Sequence, residues 1–174
     1  ALELRRVAVH ETGHAVVSEI VRPGSVSYLA ITPRGNALGY IRQAADEDPY
    51  LYSRGYLEKQ IAVLLAGAVA EELILGEKST GATNDFEQAA QLAETILRAG
   101  MSELGVVAVE SIPAGLKHRV LTRILRRQEE WVRATLEDLR EVTEEIVETL
   151  LEREKVPGEE LRRLVARERI LLPA

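Results

Sequence analysis

The chain of 174 residues contains no cysteine. Disulfides are therefore excluded, and so is every zinc site built on thiolates. Aromatic residues are scarce, at 4% of the sequence with one Trp and one Phe. The core must then be built from Leu, Val, Ile and Ala, which favours helices over a β-sandwich. No apolar run reaches the roughly 20 residues needed to cross a bilayer. The longest, Ile61 to Ala70, stops at Glu71 and Glu72. No secretory leader opens the sequence. It starts on Ala1 rather than Met, as a processed form or a piece of something larger would. A cytoplasmic location is the expectation for this chain.

An excess of positive charge is missing as well. The net charge is −6, which argues against nucleic acid as a partner. The one basic cluster, Arg123 with Arg126 and Arg127, runs directly into Glu129 and Glu130 and reads as a solvated helix face. No Gly-x-x-x-x-Gly-Lys-[Ser/Thr] phosphate loop occurs in the sequence. What remains, 46% hydrophobic and 29% charged, is the composition of a globular protein, and the length fits one domain.

The pattern along the chain is mostly helical. Val7, His10, His14, Val17 and Val21 recur at steps of three or four, which predicts a helix from Leu4 to Val21 with these residues on one face. Pro23-Gly24 ends it. Ser25 to Thr32 and Leu38 to Arg42 read as two short strands about a turn at Pro33 to Asn36, followed by an acidic loop at Asp46 to Pro49. Tyr50 to Leu75 is a second helix, in which Gly67 is tolerated and which Gly76 caps. A third helix runs to about Ala99, capped by Thr83 or Asn84, the latter spaced from Glu87 as in a capping box. Gly105 to Gly115 reads as a short strand or a loop. Leu116 to Lys155 holds neither Gly nor Pro, and Val132, Leu136, Leu139, Val142, Ile146 and Leu150 form an apolar stripe along it. Two helices with a break are expected there, then a last helix from Glu159 to about Arg167. The expected fold is mainly α (α+β): a single domain over 1–174, with a catalytic part at 1–105 carrying a small hairpin and a helical C-terminal part at 106–174.

The chemistry concentrates in His10-Glu11-Thr12-Gly13-His14. Residues four apart on a helix differ by about 40° in direction and one turn in height, so both imidazoles can reach one cation. Zn²⁺ accepts neutral imidazole nitrogen in a tetrahedral shell. Glu11 projects beside the pair and can take the proton of an attacking water and pass it to a leaving amine. A catalytic zinc needs a third protein ligand and an open position. Ile20 stands where an extended motif would place a third His. His118 lies among basic residues on a helix expected to be exposed, and Glu19 points off the His face. Glu71 and Glu72, near the end of the second helix, are candidates. So is Asp85, in the first turn of the third, where the helix N-terminus favours a carboxylate. Spacing alone leaves Asp85 level with the two glutamates.

Beyond the motif, Arg5 to Ala15 resembles the start of the peptidase domain of FtsH-type ATP-dependent zinc metalloproteases. Thr32-Pro33-Arg34-Gly35-Asn36-Ala37-Leu38-Gly39-Tyr40, Ala66 to Gly76, Thr80-Gly81-Ala82-Thr83-Asn84-Asp85-Phe86-Glu87-Gln88-Ala89, Gly100-Met101-Ser102 through Leu104-Gly105, and the tail from Leu150 to Leu161 are similar in the same order. The resemblance implies Zn²⁺ as cofactor, His10, His14 and Asp85 as its ligands, and Glu11 as the base. Glu71 and Glu72 then become helix-end charges or partners that hold a ligand histidine. It also implies an extended polypeptide substrate paired with a strand edge, for which Leu38, Gly39, Tyr40 and Ile41 are the candidates. A hexameric homo-oligomer, and in a full-length protein an AAA+ ATPase module and a membrane tether, follow from the same resemblance. Thr12 departs from the family's usual Ala, and Val106 to Arg119 matches weakly. Two other readings are a non-catalytic oligomerising module of such a protease, and an unrelated zinc peptidase using Glu71 or Glu72 as third ligand.

Overall fold

The computed structural model describes residues 2–32, 39–43 and 51–171, with the backbone alone for 39–43 and Leu171. In chain order the elements are α1 (Leu2–Val21), β1 (Val26–Ile31), β2 (Gly39–Gln43), α2 (Arg54–Leu75), α3 (Thr83–Arg98), α4 (Ala114–Asp138), α5 (Arg140–Arg153), β3 (Lys155–Pro157) and α6 (Gly158–Leu171). The fold is mainly α with one small sheet. The turn expected at Pro33 to Asn36, residue Leu38, the acidic loop at Asp46 to Pro49 and Tyr50 lie outside the described residues, and the helix expected from Tyr50 begins only at Arg54, with Leu51 to Ser53 non-helical before it.

The first helix is the central element. Its periodicity predicts one buried face, yet Ala8, Val9, Ala15, Val16 and Val17 are all fully buried. α1 is covered on several sides, by α2, α5 and β1, so a single stripe understates its burial. Small residues let α2 approach closely. A Cβ on Gly13 would lie 2.6 Å from both the Ala66 carbonyl oxygen and the Ala70 Cβ, so Gly13 sets the crossing of α1 with α2.

Ser53 caps α2 by accepting from the Tyr56 amide at 3.1 Å. Gly76 closes it in the left-handed region, at φ 87°, where other residues are strained. The capping box expected at Asn84 and Glu87 does not form. A 3₁₀ turn over Thr80–Ala82 runs straight into α3, so Thr83 is already helical, and the residue before it, Ala82, makes no side-chain cap bond. Ser79 caps the 3₁₀ turn instead, accepting from the Gly81 amide at 3.2 Å, and the Thr83 hydroxyl donates to Thr80 O at 2.8 Å.

Gly105 to Gly115 forms no strand: a 3₁₀ turn at Val109–Ser111 sits within irregular chain up to Pro113, and Ala114 and Gly115 already open α4. The break expected beyond Leu116 falls at Leu139, with φ −103° and ψ 20°. The Leu139 carbonyl accepts twice from Thr143, from its amide at 2.9 Å and from its hydroxyl at 2.7 Å. The bend keeps the apolar stripe on the core, since Val132, Leu136, Leu139, Val142, Ile146 and Leu150 are all buried. Each such side chain contributes about 1.5–3 kcal/mol by leaving water. α5 ends on Glu154 at φ 63°. Lys155 to Pro157 then pairs antiparallel with β1 as an unanticipated third strand, giving the sheet order β2-β1-β3. β2 is antiparallel to β1, with Leu29 opposite Ile41. α6 extends to Leu171, past the expected end at Arg167.

Candidate metal centre

Where α1 crosses α2, the first turn of α3 closes over the pair of histidines. His10 Nε2 lies 3.0 Å from His14 Nε2. Asp85 Oδ2 lies 3.2 Å from each of them. The two rings stand edge to face, with an interplanar angle of 80°. Both histidines are buried.

The far side of each ring decides what these three atoms are. His10 Nδ1 is 2.6 Å from Glu71 Oε1, and His14 Nδ1 is 2.6 Å from the Val63 carbonyl oxygen. A carboxylate and a carbonyl only accept, so each Nδ1 carries the hydrogen and donates it. In the neutral rings both Nε2 atoms then present lone pairs, and Asp85 adds a carboxylate oxygen. With both rings neutral, three acceptors converge with no hydrogen of their own between them, which is a repulsive arrangement unless a proton or a metal cation sits among them. Donors about 2.0–2.1 Å from a tetrahedral zinc are about 3.3 Å apart, close to the 3.0 and 3.2 Å found here. The residues present fit that ion.

Charge in the site follows from the same packing. Burial pulls the His10 pKa down, but its bonds to Asp85 and Glu71 and the nearby Glu11 charge outweigh this, leaving it above 6.5. Burial disfavours the Asp85 carboxylate, yet the bonds and charges of His10 and His14 hold it well below the ordinary range. Glu11 behaves oppositely. Burial raises its carboxyl above the ordinary 4.5, against the pull of His14 and His10, and Asp85 adds to the rise.

The remaining candidates are occupied elsewhere. Glu71 is 1% exposed and donates nothing to the triangle; it faces the outer nitrogen of His10 and accepts from Arg6 Nη1 at 2.7 Å. Burial opposes its ionisation, but Arg6, Ser79 and His10 keep it ionised below the usual range. Glu72 turns to α4, pairing with Arg133 at 2.7 Å and Lys78 at 3.3 Å. Glu19 accepts from the Gly24 and Val26 amides at 2.9 Å and from Arg162 at 2.8 Å, pinning α6 to the end of α1. His118 is exposed on α4. Arg123 of the basic cluster pairs with Glu103. Among the described residues, His10, His14 and Asp85 are the group whose ligand atoms gather within 4.8 Å.

Sequence reading missed two contributors. Arg6, one turn before His10, steadies Glu71, and that spacing was available as a signal. Gly67, taken as merely tolerated in α2, lies under the imidazoles. A Cβ there would be 2.6 Å from His10 Cε1, His10 Nε2 and His14 Nε2.

Residues 2–120 match Peptidase family M41. The chain belongs to peptidase family M41. Its relatives include the ATP-dependent zinc metalloprotease FtsH 2 of Symbiobacterium thermophilum, 38% identical over 179 residues, or 94% of this chain and 30% of that protein. The ATP-dependent zinc metalloprotease FtsH of Thermotoga maritima is 36% identical over 193 residues, covering 95% of this chain and 31% of that protein. The protein of the same name from Syntrophobacter fumaroxidans is 39% identical over 180 residues, covering 90% and 28%. The chain thus spans about three tenths of the length of these curated relatives. Membership in M41 overturns the reading of an unrelated zinc peptidase.

Proposed function

We propose that this M41 chain is the proteolytic part of a zinc-dependent endopeptidase that cuts unfolded or extended polypeptides. The observation that carries the proposal is the convergence of His10 Nε2, His14 Nε2 and Asp85 Oδ2 with both outer ring nitrogens already committed. His10, His14 and Asp85 would hold Zn²⁺, the metal named in the relatives' descriptions. When bound, zinc supplies a Lewis acid that polarises the scissile carbonyl and makes water acidic near neutral pH.

The chain's own residues supply the rest. Glu71 and the Val63 carbonyl fix the tautomer and direction of the two rings. Glu11, next in sequence to His10 and partly buried, is the proton carrier. Its raised pKa suits a group that takes a proton from the attacking water and returns it to the leaving amine. β2, which packs along α1, is the outer strand of the sheet order β2-β1-β3. An extended substrate pairing with the β2 edge that has no strand partner among the described residues meets main-chain groups, so little sequence is demanded. Of the candidate edge residues, Gly39, Tyr40 and Ile41 belong to β2 and Leu38 lies outside the described residues.

The relatives' names carry ATP dependence. In a longer protein an AAA+ module would unfold and feed substrate, within a hexameric ring. Among the described residues no helix is long and apolar enough to cross a membrane, so a membrane tether would come from elsewhere in that protein and this part would work on the cytoplasmic side.

The test is casein hydrolysis by the zinc-loaded chain and by Glu11→Gln. The variant should keep its zinc and lose about 100-fold or more in rate, the usual contribution of a positioned base. Equal rates, or no cleavage of any unfolded protein by the wild type, would leave the chain as an oligomerising module and reject the peptidase reading.

A further inference from the structure

The two glycines at the α1–α2 crossing meet different kinds of atom. A Cβ on Gly13 would strike α2 itself, 2.6 Å from the Ala66 carbonyl oxygen and 2.6 Å from the Ala70 Cβ. Neither can move without shifting a helix. The three atoms nearest a Cβ on Gly67 are the far ends of two side chains, His10 Cε1, His10 Nε2 and His14 Nε2, each at 2.6 Å. Those rings can swing aside. If they do, however, both Nε2 atoms leave the positions from which they face Asp85 Oδ2 at 3.2 Å. The outer bonds to Glu71 and Val63, each 2.6 Å, are strained by the same motion.

Helix propensity points the other way. Gly inside a helix is disfavoured relative to Ala by backbone entropy, and α2 is otherwise built from good helix formers around this point (Leu64, Leu65, Ala66, Ala68). Nothing about α2 as a helix calls for glycine at 67. The bare backbone is needed by the imidazoles lying on it.

We propose that Gly67 is a positioning residue of the metal centre: its missing side chain is the floor on which the two ligand imidazoles rest, and any side chain there displaces both donor nitrogens. Gly13 serves the fold and Gly67 serves the metal. The inference rests on the zinc reading of the site.

The experiment compares wild type, Gly67→Ala, Gly13→Ala and Gly55→Ala. Gly55 lies on the same helix, and its Cβ would meet nothing within 4 Å. Each chain is stripped of metal, and its melting temperature is read with and without added Zn²⁺. Zinc affinity by chelator competition and the visible spectrum of the Co²⁺-loaded form follow. Gly67→Ala is expected to melt near the wild type when metal-free, to lose the zinc-induced rise, and to bind zinc on the order of 100-fold more weakly. Its Co²⁺ spectrum should lose the tetrahedral bands. Gly13→Ala should melt lower even without metal, and Gly55→Ala should melt no lower than wild type and bind zinc as wild type does. Wild-type zinc affinity and spectrum in Gly67→Ala would overturn the proposal.

If Gly67→Ala fails to fold, the same change is made in a His10→Ala/His14→Ala background. The proposal requires the defect to disappear there, because the rings that cause the clash are gone. A defect of equal size in that background overturns it. Failure of the wild type itself to bind zinc would instead reject the site reading.

Discussion

Replacing Glu71 with Gln separates the role of this buried carboxylate from that of the ligands. Glu71 receives bonds from His10 Nδ1 at 2.6 Å and from Arg6 Nη1 at 2.7 Å, beside its contact with Ser79. Gln offers one acceptor oxygen and one amide donor in the same space. If the oxygen faces His10, the amide points its hydrogens at the Arg6 guanidinium. If it faces Arg6, the amide confronts His10 Nδ1–H and favours the tautomer whose hydrogen points into the ligand triangle. Either way the ring loses a charged partner that raises its basicity and fixes its direction. Loss of such a partner weakens metal binding by about 10–100-fold, or about 1.4–2.7 kcal/mol. A broken buried ion pair costs about 3–5 kcal/mol. Arg6 is 28% exposed and keeps the Glu77 carbonyl at 2.9 Å, so the loss of metal-free stability should be nearer about 2 kcal/mol. Chelator competition measures the first effect and urea unfolding of the metal-free chain the second. A zinc affinity within twofold of wild type would refute the assignment of Glu71 as the residue that orients His10.

Two further outcomes follow from the same geometry. The metal-free His10 pKa lies above 6.5, so protons compete for the triangle: zinc affinity should fall steeply as the pH drops through the His10 pKa, and a binding constant unchanged down to about pH 5.5 would contradict the ligand role. Thr12 Oγ1 is fully buried with no hydrogen-bond partner among the described residues, so Thr12→Val keeps the shape, removes the stranded hydroxyl and should stabilise by about 1 kcal/mol, a rise of about 2–4 °C in Tm; a lower Tm would show that the hydroxyl is not a penalty.

The parts of the site legible in the sequence were those carried by one helix. His10, Glu11 and His14 are local, and their spacing needs only the helical period. The third member of the triangle was not local. Asp85, Glu71 and Glu72 sit on other helices, and how α2 and α3 are rotated against α1 is set by packing that periodicity does not report. Glu71 and Glu72 are adjacent, yet one faces His10 and the other faces Arg133. Gly67 went unread for a related reason, because its neighbours belong to α1. β3 is three residues long and includes Pro157, and it becomes a strand only by pairing with Tyr28 to Ala30 of β1. The apolar stripe from Val132 to Leu150 was legible as core, while its break at Leu139 has no Gly or Pro to mark it.

Zinc bound per chain in Asp85→Ala, measured beside the wild type at the same pH, tests the centre most directly. With His10, His14 and Asp85 as the ligand set, the wild type should hold about one zinc ion per chain and the variant a small fraction of that. Full zinc retention in Asp85→Ala would contradict the account.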